Sequence, residues 1–98
     1  MESFPKIRSV HALPNHHLLV VFKNKVAKIY DCRPLLQEEV FSPLMSKELF
    51  DQVRADTGGY GVVWNDTLDL SEGELWLKGV EAAGVSISAI IRQHDVVQ

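Results

Sequence analysis

"HLLVVFKNKVAKIYDC", residues 17 to 32, decides the fold. Its first half is apolar and rich in β-branched residues, its second half alternates, and Asn24 and Lys25 stand between them. Such runs bounded by turn residues read as strands. The spacing therefore predicts a hairpin of "HLLVVFK" at 17–23 and "VAKIYDC" at 26–32. In its turn Asn24 tolerates a left-handed backbone, and Lys25 is a poorer second turn residue than glycine. Upstream, "IRSVHAL" at 7–13 alternates loosely and "PNH" at 14–16 has turn chemistry, so an earlier strand joins to give an antiparallel meander.

Leu18, Leu19, Val20, Val21 and Phe22 are apolar in succession, and side chains of a strand alternate between its faces. Both faces of the middle strand are thus apolar. Helices can cover one face, and the other needs a second copy of the chain or the C-terminal segment. Leu19 and Val21, together with Ile90 and Ile91 from the tail, form the candidate interaction surface.

Farther along, Pro34 and Pro43 bracket "LLQEEVFS", which suits a short helical turn or an irregular crossing with Leu35, Leu36 and Phe41 toward the sheet. "SKELFDQVRADT", 46 to 57, has Leu49, Phe50 and Val53 at helical spacing and Gly58 at the position of a left-handed cap. It predicts a helix of two to three turns. "YGVVWN" at 60–65 reads as a fourth strand. Strands grouped first, with helices then packed on one face, indicate an α+β domain: a small antiparallel meander of three strands plus a fourth, with two or three helices. No GxGxxG or GxxxxGK[ST] occurs. We divide the chain into the α+β domain, 1–78, and a C-terminal helical or irregular extension, 79–98, packed on the domain or on a partner.

Ninety-eight residues make about one small domain, and 46% hydrophobic with 23% charged residues is the composition of a globular chain. The net charge of −3 provides no global positive field, which weighs against nucleic acid while leaving it open. One cysteine, Cys32, permits no internal disulfide, and "MESFPKIRSV" lacks the features of a signal peptide; both point to the cytoplasm. The longest apolar run, "LLVVF", is far below the roughly 20 residues that span a bilayer, so no membrane contact is expected.

Between 65 and 74 lie Asn65, Asp66, Asp69, Glu72 and Glu74, an apparent carboxylate cluster. Ser71 and Glu74 have S-x-x-E spacing, with Leu70 and Leu75 placed for a hydrophobic staple, so these four form a structural cap at a helix start. Glu72 adds negative charge at the positive helix end, and Asn65, Asp66 and Thr67 fit an Asx turn. Asp69 is left without a structural role. The calcium-loop spacing is not met. His16 and His17 are adjacent and diverge, with His11 across the hairpin; they lack the further ligand that a zinc site needs. Cys32 has no identifiable base. We assign no catalytic, cofactor-binding or metal residues, and expect no cofactor. A metal-dependent enzyme using Asp66, Asp69 and the histidines ranks below the other readings.

In the tail, Leu75, Trp76, Val80 and Ala83 lie at helical spacing, Gly84 interrupts, and "SISAIIRQ" can start a second helix with Ile87, Ile90 and Ile91 on one face. Val85 to Ala89 can equally alternate as a strand. Such a helix pair is similar to those of small bacterial repressors and antitoxins, though only Lys78 and Arg92 offer charge to phosphate.

"IRSV", "HLLVVFKNKVAKIYDCRPLL", "VFSPLMSKELFDQV" and "WNDTLDLSEGELW" together resemble the bacterial domain-of-unknown-function family numbered 2442. The carriers are the Tyr-Asp step before Pro-Leu-Leu, the Phe-Ser-Pro-Leu and Leu-Phe pair, and a Trp followed by Asp-Leu and Leu-Trp, over residues 7 to 77. The resemblance implies a small α+β domain without an established activity. Some relatives carry a helix-turn-helix extension or lie beside small partner proteins in toxin and antitoxin arrangements. It supplies no catalytic residues. This chain departs from the family's glycine at Lys25, and residues 79–98 are too short for a complete DNA-binding extension. The expectation is a non-enzymatic protein-interaction domain, a homodimer or bound to a small protein, with an antitoxin-like regulator using the tail helices as the alternative.

Overall fold

The computed structural model describes residues 3–82. Strands β1 (Ile7–Leu13), β2 (His17–Phe22) and β3 (Ala27–Asp31) form the expected antiparallel meander. Two short 3-10 segments, Arg33–Gln37 and Glu39–Met45, carry the chain across to helix α1 (Lys47–Phe50). Then come β4 (Arg54–Ala55), β5 (Gly61–Asn65), β6 (Leu68–Ser71), helix α2 (Glu72–Lys78) and β7 (Val80–Glu81). The fold class is α+β, built on two antiparallel sheets ordered β1-β2-β3-β7 and β4-β5-β6.

Four expectations need correction. The helix placed over 46–57 is a single turn: Ser46 Oγ accepts the Leu49 amide, but Trp64 Nε1 donates to Phe50 O at 3.0 Å, and the chain then extends to pair Arg54 with Val63. The left-handed glycine is Gly59 (φ 77), not Gly58, and it sits in a strand-connecting turn where its carbonyl accepts from Ile7 N. The stretch after Asn65 does not lead directly to a helix. Asn65 Oδ1 accepts from the Thr67 and Leu68 amides, a side-chain-built turn that sends Leu68–Ser71 back along β5. Helical spacing through Val80 and Ala83 ends at Lys78, because Val80 and Glu81 pair with Ile29 and Lys28 of β3.

The second hairpin turn also differs in detail: Lys25 holds the left-handed conformation (φ 75), while Asn24 Oδ1 accepts the Val26 amide. A non-glycine residue in that region carries strain. That strain is offset by the hairpin bonds on both sides, Phe22 N to Val26 O and Lys25 N to Phe22 O.

Leu18, Val20 and Phe22 turn to the inner face of the four-stranded sheet, where they meet Phe50, Val62, Trp64, Leu70 and Leu75 in the main core. Within the three-stranded sheet, β5 and β6 approach closely at a glycine: a Cβ on Gly61 would stand 2.3 Å from Leu70 O. Lys28, paired with Val20, also faces this core and is 9% exposed. Its ammonium donates to the carbonyl of Trp76 in the last turn of α2 and lies 4.0 Å from the centre of the Trp76 ring. A buried cation is thereby used as the helix's C-terminal cap.

Candidate functional site

Two regions, and a histidine-bearing turn, hold the residues singled out by the sequence. The first is the outer face of the four-stranded sheet. Leu19 is fully buried there, in a small cluster with Leu13, bordered by Ala27, Ile29 and Ala82. Val21 is half-buried, and Val80, opposite Ile29, is 71% exposed. Leu19 is therefore the floor of this face, and Val21, Ile29 and Val80 supply its accessible apolar surface. Ile90 and Ile91, the restarted helix, Ala83, Gly84 and Arg92 lie outside the described residues.

The histidines do not converge. His16 turns inward, its Nε2 bonding Leu44 O at 2.9 Å and its ring meeting Phe50 edge-on at 4.8 Å. This engagement accompanies a strained turn, in which Asn15 and His16 have φ of 62 and 58. His17 bonds Asn15 O through Nδ1, so its Nε2, 3.7 Å from Asp31, pairs with that carboxylate only when the ring is protonated. His11 is exposed opposite Leu19. Among the described residues, no three His, Cys, Asp or Glu side chains stand together in a way that could hold a metal ion.

The second region is a cleft of about 600 Å³ between β3, the 3-10 crossing and the start of α2. Asp69 reaches its rim from β6, opposite Val63, and remains exposed. Ser71 Oγ accepts the Glu74 amide at 3.1 Å, and Leu70 and Leu75 are both buried in the main core. The Glu74 carboxylate turns away from the Ser71 backbone and accepts from Tyr30 Oη at 2.7 Å, with Lys78 Nζ at 3.4 Å. Burial and this carboxylate both push the Tyr30 phenol above its ordinary range. The pair ties β3 to α2, and a phenol held protonated beside an engaged carboxylate is neither a nucleophile nor a free base. Glu72 is likewise engaged, with Lys6 at 3.1 Å.

Asp31 and Arg33, at the cleft's edge, form a two-pronged pair at 2.9 to 3.2 Å. The guanidinium holds the Asp31 carboxyl down at about 2, and Asp31 in turn raises Arg33. Between them Cys32 is fully buried, and burial pushes its thiol up to about 12. A thiol so placed stays protonated and inert at neutral pH. Lys28, Tyr30 and Trp64 carry the contacts that sequence reasoning missed. The only sign of them was a polar group placed within an otherwise apolar strand.

These observations define a small α+β domain in which Tyr30 with Glu74, Lys6 with Glu72 and Lys28 with the Trp76 carbonyl join separate segments, and whose apolar residues continue onto an outer sheet face. The chain belongs to the family described as Protein of unknown function (DUF2442), whose model matches residues 7–81. Comparison with curated proteins and with solved structures gave no match. No helix of the described residues is long and apolar enough to cross a membrane.

Proposed function

We propose that the chain is a non-enzymatic protein-interaction domain that pairs with a second copy of itself through the outer face of the four-stranded sheet. One observation carries this reading. Leu19, Ile29 and Val80 run side by side across β2, β3 and β7, Val21 follows on the same face opposite Ala27, and Val80 is 71% exposed. A sheet face of this composition gains by removing its apolar area from water. The contact is isologous, since the same patch serves both copies. Its expected compartment is the cytoplasm, where a buried free thiol such as Cys32 stays reduced.

Sedimentation equilibrium on the order of tens of micromolar tests the pairing, since weak interfaces are concentration-dependent. The expected result is a dimer that Val80→Lys converts to a folded monomer. A wild-type chain that stays monomeric over that range would overturn the reading.

A further inference from the structure

The cleft between β3, the 3-10 crossing and the start of α2 takes no part in the pairing argued above, and its lining is of two kinds. Tyr30, Leu35 and Leu70 are buried at its floor, with Phe41 half-buried and Pro34 exposed beside them. Around this apolar surface stand Asp31, Glu38, Asp69 and Glu74, and Lys78 is the only cation among the described lining residues.

Two of these carboxylates are already matched. Asp31 holds Arg33 in its two-pronged pair, and Glu74 accepts from Tyr30 and lies 3.4 Å from Lys78. Both nearby cations are thereby engaged. Glu38, which follows the first 3-10 segment, and Asp69, on β6, are exposed, and among the described residues neither has an ion-pair partner. Besides burial and the Glu74 bond, the Glu38 carboxylate helps to hold the Tyr30 phenol above its ordinary range, so its charge is felt at the floor of the cleft.

A cleft lined mainly by one sign of charge over a low-polarity floor focuses its field on whatever enters. An anionic or neutral ligand would leave Glu38 and Asp69 unmatched, so the complementary ligand has a cationic head and an apolar body. Arginine meets this better than lysine. Its guanidinium is planar and less strongly hydrated than an ammonium, forks onto carboxylates and stacks on aromatic rings, of which Phe41 is one within the lining. The volume of about 600 Å³ lies in the ~300–1,000 Å³ range of ligand clefts, which leaves room for an apolar side chain next to the cationic one. A polypeptide segment supplies both kinds of side chain together, whereas a small polyamine carries its charge on a bare chain.

We propose that this cleft docks an arginine-bearing segment of a partner protein, with the guanidinium drawn to Glu38 and Asp69 and a neighbouring apolar side chain laid on Pro34 and Phe41. The cleft opens on the side of Tyr30 and α2, so this docking does not depend on pairing through the outer sheet face.

The test uses the full chain, labelled with nitrogen-15, and a capped peptide of alternating leucine and arginine. Peptide at ~1 mM should shift the amide signals of Leu35, Glu38, Phe41 and Asp69. Raising salt from about 20 to about 200 mM should weaken the binding at least about threefold. Glu38→Gln and Asp69→Asn, both at exposed positions, should each weaken it about threefold and together about tenfold, with the rest of the spectrum unchanged. The same peptide with glutamate in place of arginine should shift nothing in the cleft. Absence of cleft shifts at ~1 mM with the arginine peptide would overturn the proposal, as would equal binding of the glutamate peptide or wild-type affinity in the double variant. So would shifts confined to the outer face, or spermidine reproducing the peptide's shifts at the same concentration.

Discussion

The two faces of the four-stranded sheet are built from one run of sequence, Leu18 to Phe22, and have different surroundings. The inner face meets a second sheet and two helices, so Leu18, Val20 and Phe22 join a core that includes Trp64 and Leu75. Among the described residues, the outer face gathers Leu13 and Leu19 into a buried cluster, flanked by Ala27, Ile29 and Ala82. Apolar character alone does not assign a face its role. What decides is whether the rest of the chain provides a matching layer.

The comparison is sharpest in a truncation series. Phe22→Ala, on the inner face, should cost about 3–5 kcal/mol in denaturant unfolding, because it removes a fully buried ring that meets Trp76 edge-on. Leu19→Ala, on the outer face, should cost about 2–3 kcal/mol, since among the described residues its cluster is smaller than the inner core. Equal losses would mean that the outer face is as densely packed as the inner one.

The inner face also predicts alkaline lability. Cys32 and Tyr30 are both held above their ordinary pKa, from 9.0 to about 12 for the thiol. The folded state favours the protonated forms. Their contribution is complete below the unfolded value and falls away as pH rises through the folded one. Melting temperature should therefore drop from about pH 9 upward, and Cys32→Ala should flatten that slope. Asp31 has the opposite sign: its pKa is lowered, so its contribution is present above the ordinary 3.8 and lost as pH falls toward about 2. Solvent exposure keeps that acid-side effect small.

Smaller effects separate the polar ties from the surface. Tyr30→Phe leaves Glu74 without its phenol donor and should cost about 1.5 kcal/mol. Ser71→Ala should cost about 1 kcal/mol through the lost cap on α2. Val80→Lys should change monomer stability by no more than about 0.5 kcal/mol. If Val80→Lys unfolds the chain, the outer face is part of the core.

Several of these features were legible before any coordinates. The Leu18–Phe22 run, the turns at Pro14 and Asn24, and the serine of the α2 cap carry local signals that do not need a partner. Other features had no such signal. β4 is two residues long and exists because β5 lies beside it. β6 follows an Asx turn that sequence alone reads equally as a helix approach, and only pairing with Val62 and Val63 makes it a strand. Leu49, Phe50 and Val53 keep helical spacing, yet the helix stops where Trp64 takes the Phe50 carbonyl. At the candidate sites, the carboxylates were legible as a cluster. Their partners Tyr30 and Lys6 were not, because these come from 44 and 66 residues away.

By itself the sequence determined the meander, the α+β class and the two-sided apolarity of β2, because turn chemistry and the alternation of strand side chains act over a few residues. The tertiary structure decided that two sheets form instead of one and that Glu74 binds Tyr30. It also decided that Lys28 caps a helix and that the helix begun at Lys47 stops after one turn. Those outcomes depend on which distant backbone or side chain competes for each hydrogen bond, and local pattern carries no record of that competition.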